Sequence, residues 1–444
     1  MLLDLIYLIA FVVLLPWVAW RKFSGGRPVA APWMRFTGGI TPLPRREAGV
    51  SRIWLHGVSV GEIQLLSSLA REIDARAGAE GLAVEFVVSS STTTGLDLAA
   101  KRFGGAVVFP CPLDFTWAVR RVVKAVDADL LVLGELELWP HLLDAAWRHR
   151  LPVVVANGRL SDSSARGYRR VAPLVRRMLS QVTLVSARSA ADAARFRALG
   201  APMVVDAGSM KFDGVRGDRG AEDVRRLAKL AGFRDDDVVF LAGSTQAPEE
   251  ALAIDAYRAA SADHPRLRLV IVPRHVERKP EIVALLDGSG LAWQARSTLD
   301  TDGAAPDARV LLVDTTGELG AWWGTATIAF VGGSLDGKRG GQNMLEPAAY
   351  GAAVCFGPHT RNFADEVAVL LEADAARVVA DGPDLTAFAR DCLVAEPPLA
   401  LGTRAAATVA AHRGATAATA ERILTLLSAG PRGRKGCPPA REPG

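Results

Sequence analysis

From residue 53 onward, short apolar runs alternate with stretches of helical spacing. IWLHGV (53–58), VEFVVS (84–89), AVVFP (106–110), LLVLGE (130–135), PVVVAN (152–157) and VTLVSA (182–187) are apolar on both parities. Runs of that kind predict strands covered on both faces. Residues 62–73 and 115–126 have the spacing of amphipathic helices. Strands alternating with helices predict βαβ units and a parallel sheet. A polar, glycine-rich stretch at 213–222 interrupts the pattern, which then restarts with VVFLAG (238–243), LRLVIVP (267–273), ARVLLVD (308–314), TIAFVGG (327–333) and AAVCFG (352–357). The expected fold class is α/β, with two doubly wound, Rossmann-like halves. Ligands in such sheets bind beyond the carboxyl ends of the strands, and a cleft between the halves is the expected site. Residues 405–427 read as an alanine-rich helix. The tail after 429 has no apolar period and is expected to be disordered.

The first twenty residues differ. LLDLIYLIAFVVLLPWVAW (2–20) carries one charge, Asp4, and is just long enough to span a bilayer. No small-residue cleavage site follows, so the run reads as an uncleaved anchor. Trp17 and Trp20 lie at its end, followed by Arg21, Lys22, Arg27, Arg35, Arg45, Arg46 and Arg52 against Glu47 alone, a net +6. Such a flank marks the cytoplasmic side. A helix lying on an anionic membrane surface is the alternative, favoured by Pro16 and the marginal length. The expected segments are therefore an anchor (1–22), an amino-terminal half (23–215), a carboxyl-terminal half (216–428) and a tail (429–444).

Composition changes the picture little. With 50% hydrophobic and 23% charged residues in 444, the chain is globular. A net charge of +4 is too small to suggest a nucleic-acid partner. The four cysteines form no CxxC pair and the seven histidines no HExxH, so a disulfide scaffold, a zinc ribbon and a zinc protease are all unlikely readings.

Four constellations carry candidate chemistry. In HGVSVGE (56–62), Glu62 falls in the first turn of a helix beyond the first strand. There it can serve as a general base or simply complement the helix dipole. In GELELWP (134–140), Glu135 and Glu137 would share a face if the strand continued. Lys211 in GSMKFD (208–213) can counter a phosphate or be a surface lysine. In the second half, GSTQAPEE (243–250), VPRH (272–275), TTGEL (315–319) and the glycine-rich GGSLDGKRGGQNMLEPAAYG (332–351) offer backbone amides, basic residues and Glu346 to a nucleotide. There is no P-loop and no GxGxxG after the first strand. The DxD triplets at 127–129, 235–237 and 300–302 read as solvated turns, so no metal site and no cofactor are expected.

Taken in order, these motifs resemble the 3-deoxy-D-manno-octulosonic acid (Kdo) transferases of lipopolysaccharide and lipid A biosynthesis. The resemblance runs through HGVSVGE, GELELWP, ANGRLSDSSARGY (156–168), GSMKFD, VPRHVER (272–278), GEL (317–319), FVGGS (330–334), GGQNMLEP (340–347) and FGPHTRNF (356–363). It implies a GT-B fold, CMP-Kdo as donor, a lipid A precursor as acceptor, and a place on the cytoplasmic side of the bacterial inner membrane, among its lipids. It also implies Glu62 as general base, Glu135 and Lys211 as transition-state stabilisers with Glu137 as the fallback for Glu135, and CMP binding by Pro273, Arg274, Gly317, Glu318, Leu319, Asn343, Met344, Leu345 and Glu346. Gln246 and Gln342 depart from the family, which often has histidine there, and Gly337 to Arg339 lengthen the glycine-rich loop. A GT-B enzyme using another nucleotide sugar and a non-catalytic GT-B-like binding protein are the alternatives. The intact Glu62, Lys211, Arg274 and Glu346 argue against the second.

Overall fold

A computed structural model describes residues 3–9, 13, 31–41, 43–394 and 400–429. They form two compact units, one of residues 1–214 and 413–444, the other of residues 215–412. Each is built on a seven-stranded sheet whose strands all run parallel.

In unit 1 the strands are β1 (Val50–Gly57), β2 (Ala83–Ser90), β3 (Val107–Pro110), β4 (Leu130–Gly134), β5 (Val153–Gly158), β6 (Leu184–Ala187) and β7 (Val204–Asp206). Their order is β3-β2-β1-β4-β5-β6-β7, so the winding reverses between β1 and β4. Side chains alternate between the two faces, as the pleat requires. Trp54, Leu131, Leu133, Val153 and Val155 enter one core, and Ile53, Leu55, Leu130, Val132 and Val154 the other. The short α1 (Pro32–Thr37), α2 (Val60–Ala79), α3 (Thr116–Val126) and α4 (Pro140–Arg148) belong to this unit.

Unit 2 repeats the plan with β8 (Val238–Thr245), β9 (Leu267–Pro273), β10 (Trp293–Ala295), β11 (Val310–Leu312), β12 (Ile328–Val331), β13 (Ala353–Phe356) and β14 (Arg377–Val378). Their order is β10-β11-β9-β8-β12-β13-β14, reversing between β8 and β12. Its helices include α5 (Glu249–Ser261), the short α6 (Leu319–Trp322) and α7 (Leu345–Ala349).

The chain departs from the sequence expectation in three places. The last helix, α8 (Ala415–Ser428), groups with unit 1 and does not continue the second half. Its Ala420, Ile423 and Leu424 close the core over Ile63, Leu66 and Ile73 of α2, and the hydroxyls of Ser186 and Thr419 meet at 2.7 Å. Strand β4 stops at Gly134, because Glu135 turns the chain with φ +53, so Glu135 and Glu137 do not share a strand face. Of the triplet aspartates, Asp129 and Asp237 are less solvated than expected, whereas Asp127, Asp235, Asp236, Asp300 and Asp302 are exposed. Asp237 is buried against Arg268 at 3.1 Å, Asp129 pairs with Arg46, and Asp300 meets Arg296 at 2.7 Å.

The predicted anchor is described only in part. Among the described residues no helix is long and apolar enough to cross a membrane. Residues 3–9 are helical, whereas most of the predicted anchor, 10–12 and 14–20, and the tail from 430 lie outside the described residues. Part of the basic flank is also spent internally. Arg46 pairs with Asp129, Arg52 is buried against Glu85 at 2.6 Å, and Arg35 turns inward onto the Cys111 carbonyl at 2.9 Å.

Candidate active site

In each unit some of the predicted residues follow the strands between which the winding reverses, Glu62 and Glu135 after β1 and β4, and Asn343 to Glu346 after β12. At such a switch point neighbouring loops leave on opposite faces and open a crevice at the strand ends.

In unit 1, β1 runs into Ser59, which caps α2. The Ser59 Oγ accepts from the Glu62 backbone N–H at 3.2 Å. Glu62 returns the contact, accepting from the Ser59 hydroxyl at 2.7 Å and from the Val58 N–H at 2.9 Å. This is a reciprocal capping arrangement, and it fixes the carboxylate over the end of β4. The carboxylate lies against Gly134, where a Cβ would be in van der Waals contact, 3.5 Å from Glu62 Oε2. His56, in the same motif, is buried beside Ser89, and burial pushes it down to about 4, so it is neutral and turned away from proton chemistry.

Glu135 and Glu137 follow from β4. Burial raises the Glu135 carboxyl, the positive charge of Lys211 works against this, and the Glu62 charge adds to it. Glu137 is pushed up to about 7, first by burial and then by the Glu62 charge, while the Trp139 indole N–H, at 2.9 Å from its Oε2, pulls the other way. Glu62, Glu135, Glu137 and Lys211 thus feel one another, with Arg188 and Arg159 close to Glu135. The structure brings together the predicted Glu62, Glu135 and Lys211, and adds Glu137 as the carboxyl that holds a proton near neutral pH.

Asn157 was present in a matching motif, but the sequence assigned it no role. It lies in β5 with φ +56 and is 1% exposed. Its Oδ1 accepts from the Met210 N–H at 3.0 Å, which fixes the turn that carries Lys211. Left-handed backbone at a non-glycine residue costs free energy and concentrates at functional sites. Glu135, Asn157 and Ser244 all adopt it at the carboxyl ends of strands.

The pH response of Glu137 has a definite sign. Its folded-state value near 7 lies above the ordinary 4.5, so the fold binds a proton that the unfolded chain releases earlier. Stability therefore falls as pH rises from about 4.5 to about 7. Glu137→Gln removes that slope. Melting curves across this window should show the variant gaining on the wild type towards pH 8. Parallel curves would take the shift away from Glu137.

In unit 2, the predicted donor residues share one edge of the sheet. Pro273 ends β9 and the exposed Arg274 follows, its backbone N–H bonded to the Thr245 carbonyl at 3.0 Å. Glu318 precedes α6, and its carboxylate is already held by Arg296 through two bonds of 2.9 Å. Asn343 starts the turn into α7. Its Oδ1 accepts from the Leu345 N–H at 3.2 Å and its Nδ2 donates to Glu346 Oε1 at 3.1 Å. Met344 and Leu345 are buried beneath this turn.

Glu249 had no assigned role in the sequence, and it organises this site. It is 2% exposed, and it accepts from the N–H groups of Gln246 (2.9 Å), Gly333 (2.7 Å), Ser334 (3.0 Å) and Leu335 (3.2 Å). One carboxylate so ties the loop after β8 to the glycine-rich loop after β12. Gly332 must be glycine, since a Cβ would sit 2.6 Å from Glu249 Oε2 and 2.7 Å from the Thr245 Cα. Arg361 and Asn362 brace the far side of the loop through carbonyls of Gly337, Lys338, Arg339 and Gly341. The two residues that depart from the family, Gln246 and Gln342, both flank Gly333.

Two parallel α/β units, each with polar residues gathered at the carboxyl ends of its strands, resemble the GT-B glycosyltransferase fold. A putative UDP-N-acetylglucosamine 2-epimerase from Listeria monocytogenes has a similar fold, with a TM-score of 0.56 at 12% identity over 88% of this chain and 99% of that one. The family profile described as 3-deoxy-D-manno-octulosonic-acid transferase (kdotransferase) matches residues 34–214. The chain is 32% identical over 380 residues to the 3-deoxy-D-manno-octulosonic acid transferase of Haemophilus influenzae, covering 84% of this chain and 86% of that protein. It is 33% identical over 424 residues to the Bordetella pertussis transferase of the same name, covering 93% and 95%. The chain belongs to the 3-deoxy-D-manno-octulosonic acid transferase family, and it is a glycosyltransferase that moves Kdo.

Proposed function

We propose that the chain transfers Kdo from CMP-Kdo to a lipid A precursor in lipopolysaccharide assembly, at the cytoplasmic face of the inner membrane, to which its apolar amino terminus attaches it. The observation that carries the reading is the meeting of Glu62, Glu135, Glu137 and Lys211 at one switch point. Glu62 takes the proton of an acceptor sugar hydroxyl as its oxygen attacks the anomeric carbon of Kdo. The bond from that carbon to the phosphate oxygen breaks, and CMP leaves with the electron pair. One displacement inverts the anomeric centre. Glu135 and Lys211 stabilise charge that develops on the way, and preorganised charges of this kind supply a large share of catalysis.

The donor's CMP rests on unit 2. Arg274 meets the phosphate, and Glu346, held by the Asn343 and Trp323 side chains, receives the ribose hydroxyls. The segment Gly317 to Leu319 contributes through its backbone, because Arg296 occupies the Glu318 carboxylate. With cationic side chains and loop amides at the phosphate, the reaction needs no divalent metal.

The test is incubation with CMP-Kdo and a tetraacylated lipid A precursor in excess EDTA, with product masses read afterwards. A product heavier by Kdo supports the reading. Product formed only after magnesium is restored would end the metal-free mechanism, and no product under either condition would end the substrate assignment. Arg274→Ala should weaken CMP binding by about ten- to a hundred-fold, the loss of one hydrogen bond to a charged group. Calorimetric titration with CMP checks it, and unchanged affinity would move the phosphate elsewhere.

A further inference from the structure

Residues 3–9 of the apolar run and the short α1 are fastened to the same face of unit 1. Asp4, the only charge in the run, is 8% exposed. It accepts from the backbone N–H and the hydroxyl of Thr116, both at 2.8 Å. Thr116 is the first residue of α3, whose own preceding residue, Phe115, supplies no side-chain cap. Asp4 therefore caps α3 from outside, in the orientation the helix dipole favours. One turn on, the Tyr7 hydroxyl donates to Asp114 Oδ2 at 3.4 Å. Asp114 in turn accepts from the N–H groups of His141 and Leu142 and so caps α4.

Helix α1 packs at the same place. Within α1 the Phe36 carbonyl accepts from the Trp117 indole N–H at 2.9 Å, and the Thr37 carbonyl accepts from Arg121 at 2.9 Å. Tyr7 and Phe36 pack on one ring, that of Phe115, with centroids 6.0 and 5.2 Å away.

A helix over residues 2–20 is roughly 28 Å long at about 1.5 Å per residue, close to the roughly 30 Å of a bilayer core. If it spanned the membrane from a cytoplasmic body, Asp4 would lie at the far surface. Asp4 cannot be there and also cap α3. We infer that residues 3–9 are clasped to unit 1 by Asp4 and Tyr7 and rest on one leaflet of the bilayer, so that the amino terminus and the catalytic body share one side of it. This rests on the membrane-bound reading proposed above and specifies its topology.

The surface offered fits an anionic leaflet. Leu5, Ile6, Ile9 and Val13 are exposed on the run, as is Trp33 on α1. Helix α3 beside them carries exposed Arg120, Arg121 and Lys124 and no acidic residue. An apolar strip next to cations is the pattern of helices that lie in the interface. Trp139, whose indole holds Glu137, immediately precedes the α4 turn that Asp114 caps. The clasp therefore brings the leaflet that carries the acceptor lipid to the edge of the carboxylate cluster.

The test uses the full chain with a short epitope at each terminus, expressed in a Gram-negative host. Protease is added to intact spheroplasts and to inside-out inner-membrane vesicles. Both epitopes should be lost only in the inside-out vesicles. Loss of the amino-terminal epitope in spheroplasts, with the carboxyl-terminal one protected, would show a span and overturn the inference while leaving membrane attachment intact. Recovery of the protein wholly in the soluble fraction would remove the membrane reading itself. Asp4→Leu combined with Tyr7→Leu opens the clasp and lengthens the apolar run, and the basic flank holds the body inside. In that variant most of the amino-terminal epitope should move to the outer side. An epitope that stays inside would show that the clasp does not set the topology and would overturn that part.

Discussion

Glu62→Gln should fold, bind CMP as the wild type does, and transfer almost no Kdo. Removing a general base typically costs about 10²–10⁴-fold in rate, and glutamine cannot take up the hydroxyl proton. The structure complicates the test, because Glu62 also completes the cap of α2 through Ser59 and Val58. Part of that cap survives, since the glutamine oxygen still accepts one hydrogen bond. Its loss of stability should stay near the 0.3–1 kcal/mol expected of a helix-start carboxylate, roughly a few degrees in melting temperature. A purely structural Glu62 gives that small drop with turnover within a few-fold of wild type, and the base would then pass to Glu135 or Glu137. Melting temperature, CMP affinity and turnover measured on one preparation separate the two cases.

Glu249→Gln should damage the donor site without touching the carboxylate cluster. Glu249 accepts four backbone N–H groups across two loops. Glutamine keeps one accepting oxygen and points an NH2 group at amides that also donate. Each hydrogen bond lost to a charged acceptor is worth roughly 1.5–3 kcal/mol. The cost falls partly on the stability of unit 2 and partly on the order of the glycine-rich loop. CMP affinity should drop by about ten- to a hundred-fold even though Glu249 touches no nucleotide. Calorimetry with CMP, alongside a melting curve, checks this. An unchanged CMP affinity in a protein of lowered melting temperature would make Glu249 a folding residue only.

The legibility of the fold followed the length of each strand. LRLVIVP was read from 267 to 273, where β9 lies, because a buried parallel strand needs an unbroken apolar run. Strands β7, β10 and β14 went unseen. They have three, three and two residues, and pairing with a neighbour forms them more than their own composition does. Glu62 and Lys211 were named through the resemblance their motifs carry, since by themselves a helix-start carboxylate and a surface lysine read as well. Glu249 was not, since its partners Gly333 to Leu335 are 84–86 positions away and only the fold brings them in. The clasp at Asp4 was illegible for a related reason. A charge inside an apolar run reads as a blemish in a span until Thr116 and its helix stand beside it.

The return of α8 to unit 1 has a consequence for how the chain is made. Unit 2 is an insertion, threaded between Gly214 and Arg413 of its host. Asp213 fastens the two junctions together, accepting from the N–H groups of Gly414 and Thr416, each at 2.6 Å. On the ribosome, the amino-terminal unit is begun first and finished last. Until Ile423 and Leu424 emerge, Ile63, Leu66 and Ile73 of α2 lack their cover, whereas unit 2 can close its own core beforehand. A nascent chain halted shortly before residue 415 would therefore carry one finished unit and one sticky one, and chaperones would engage the half that was synthesised earliest.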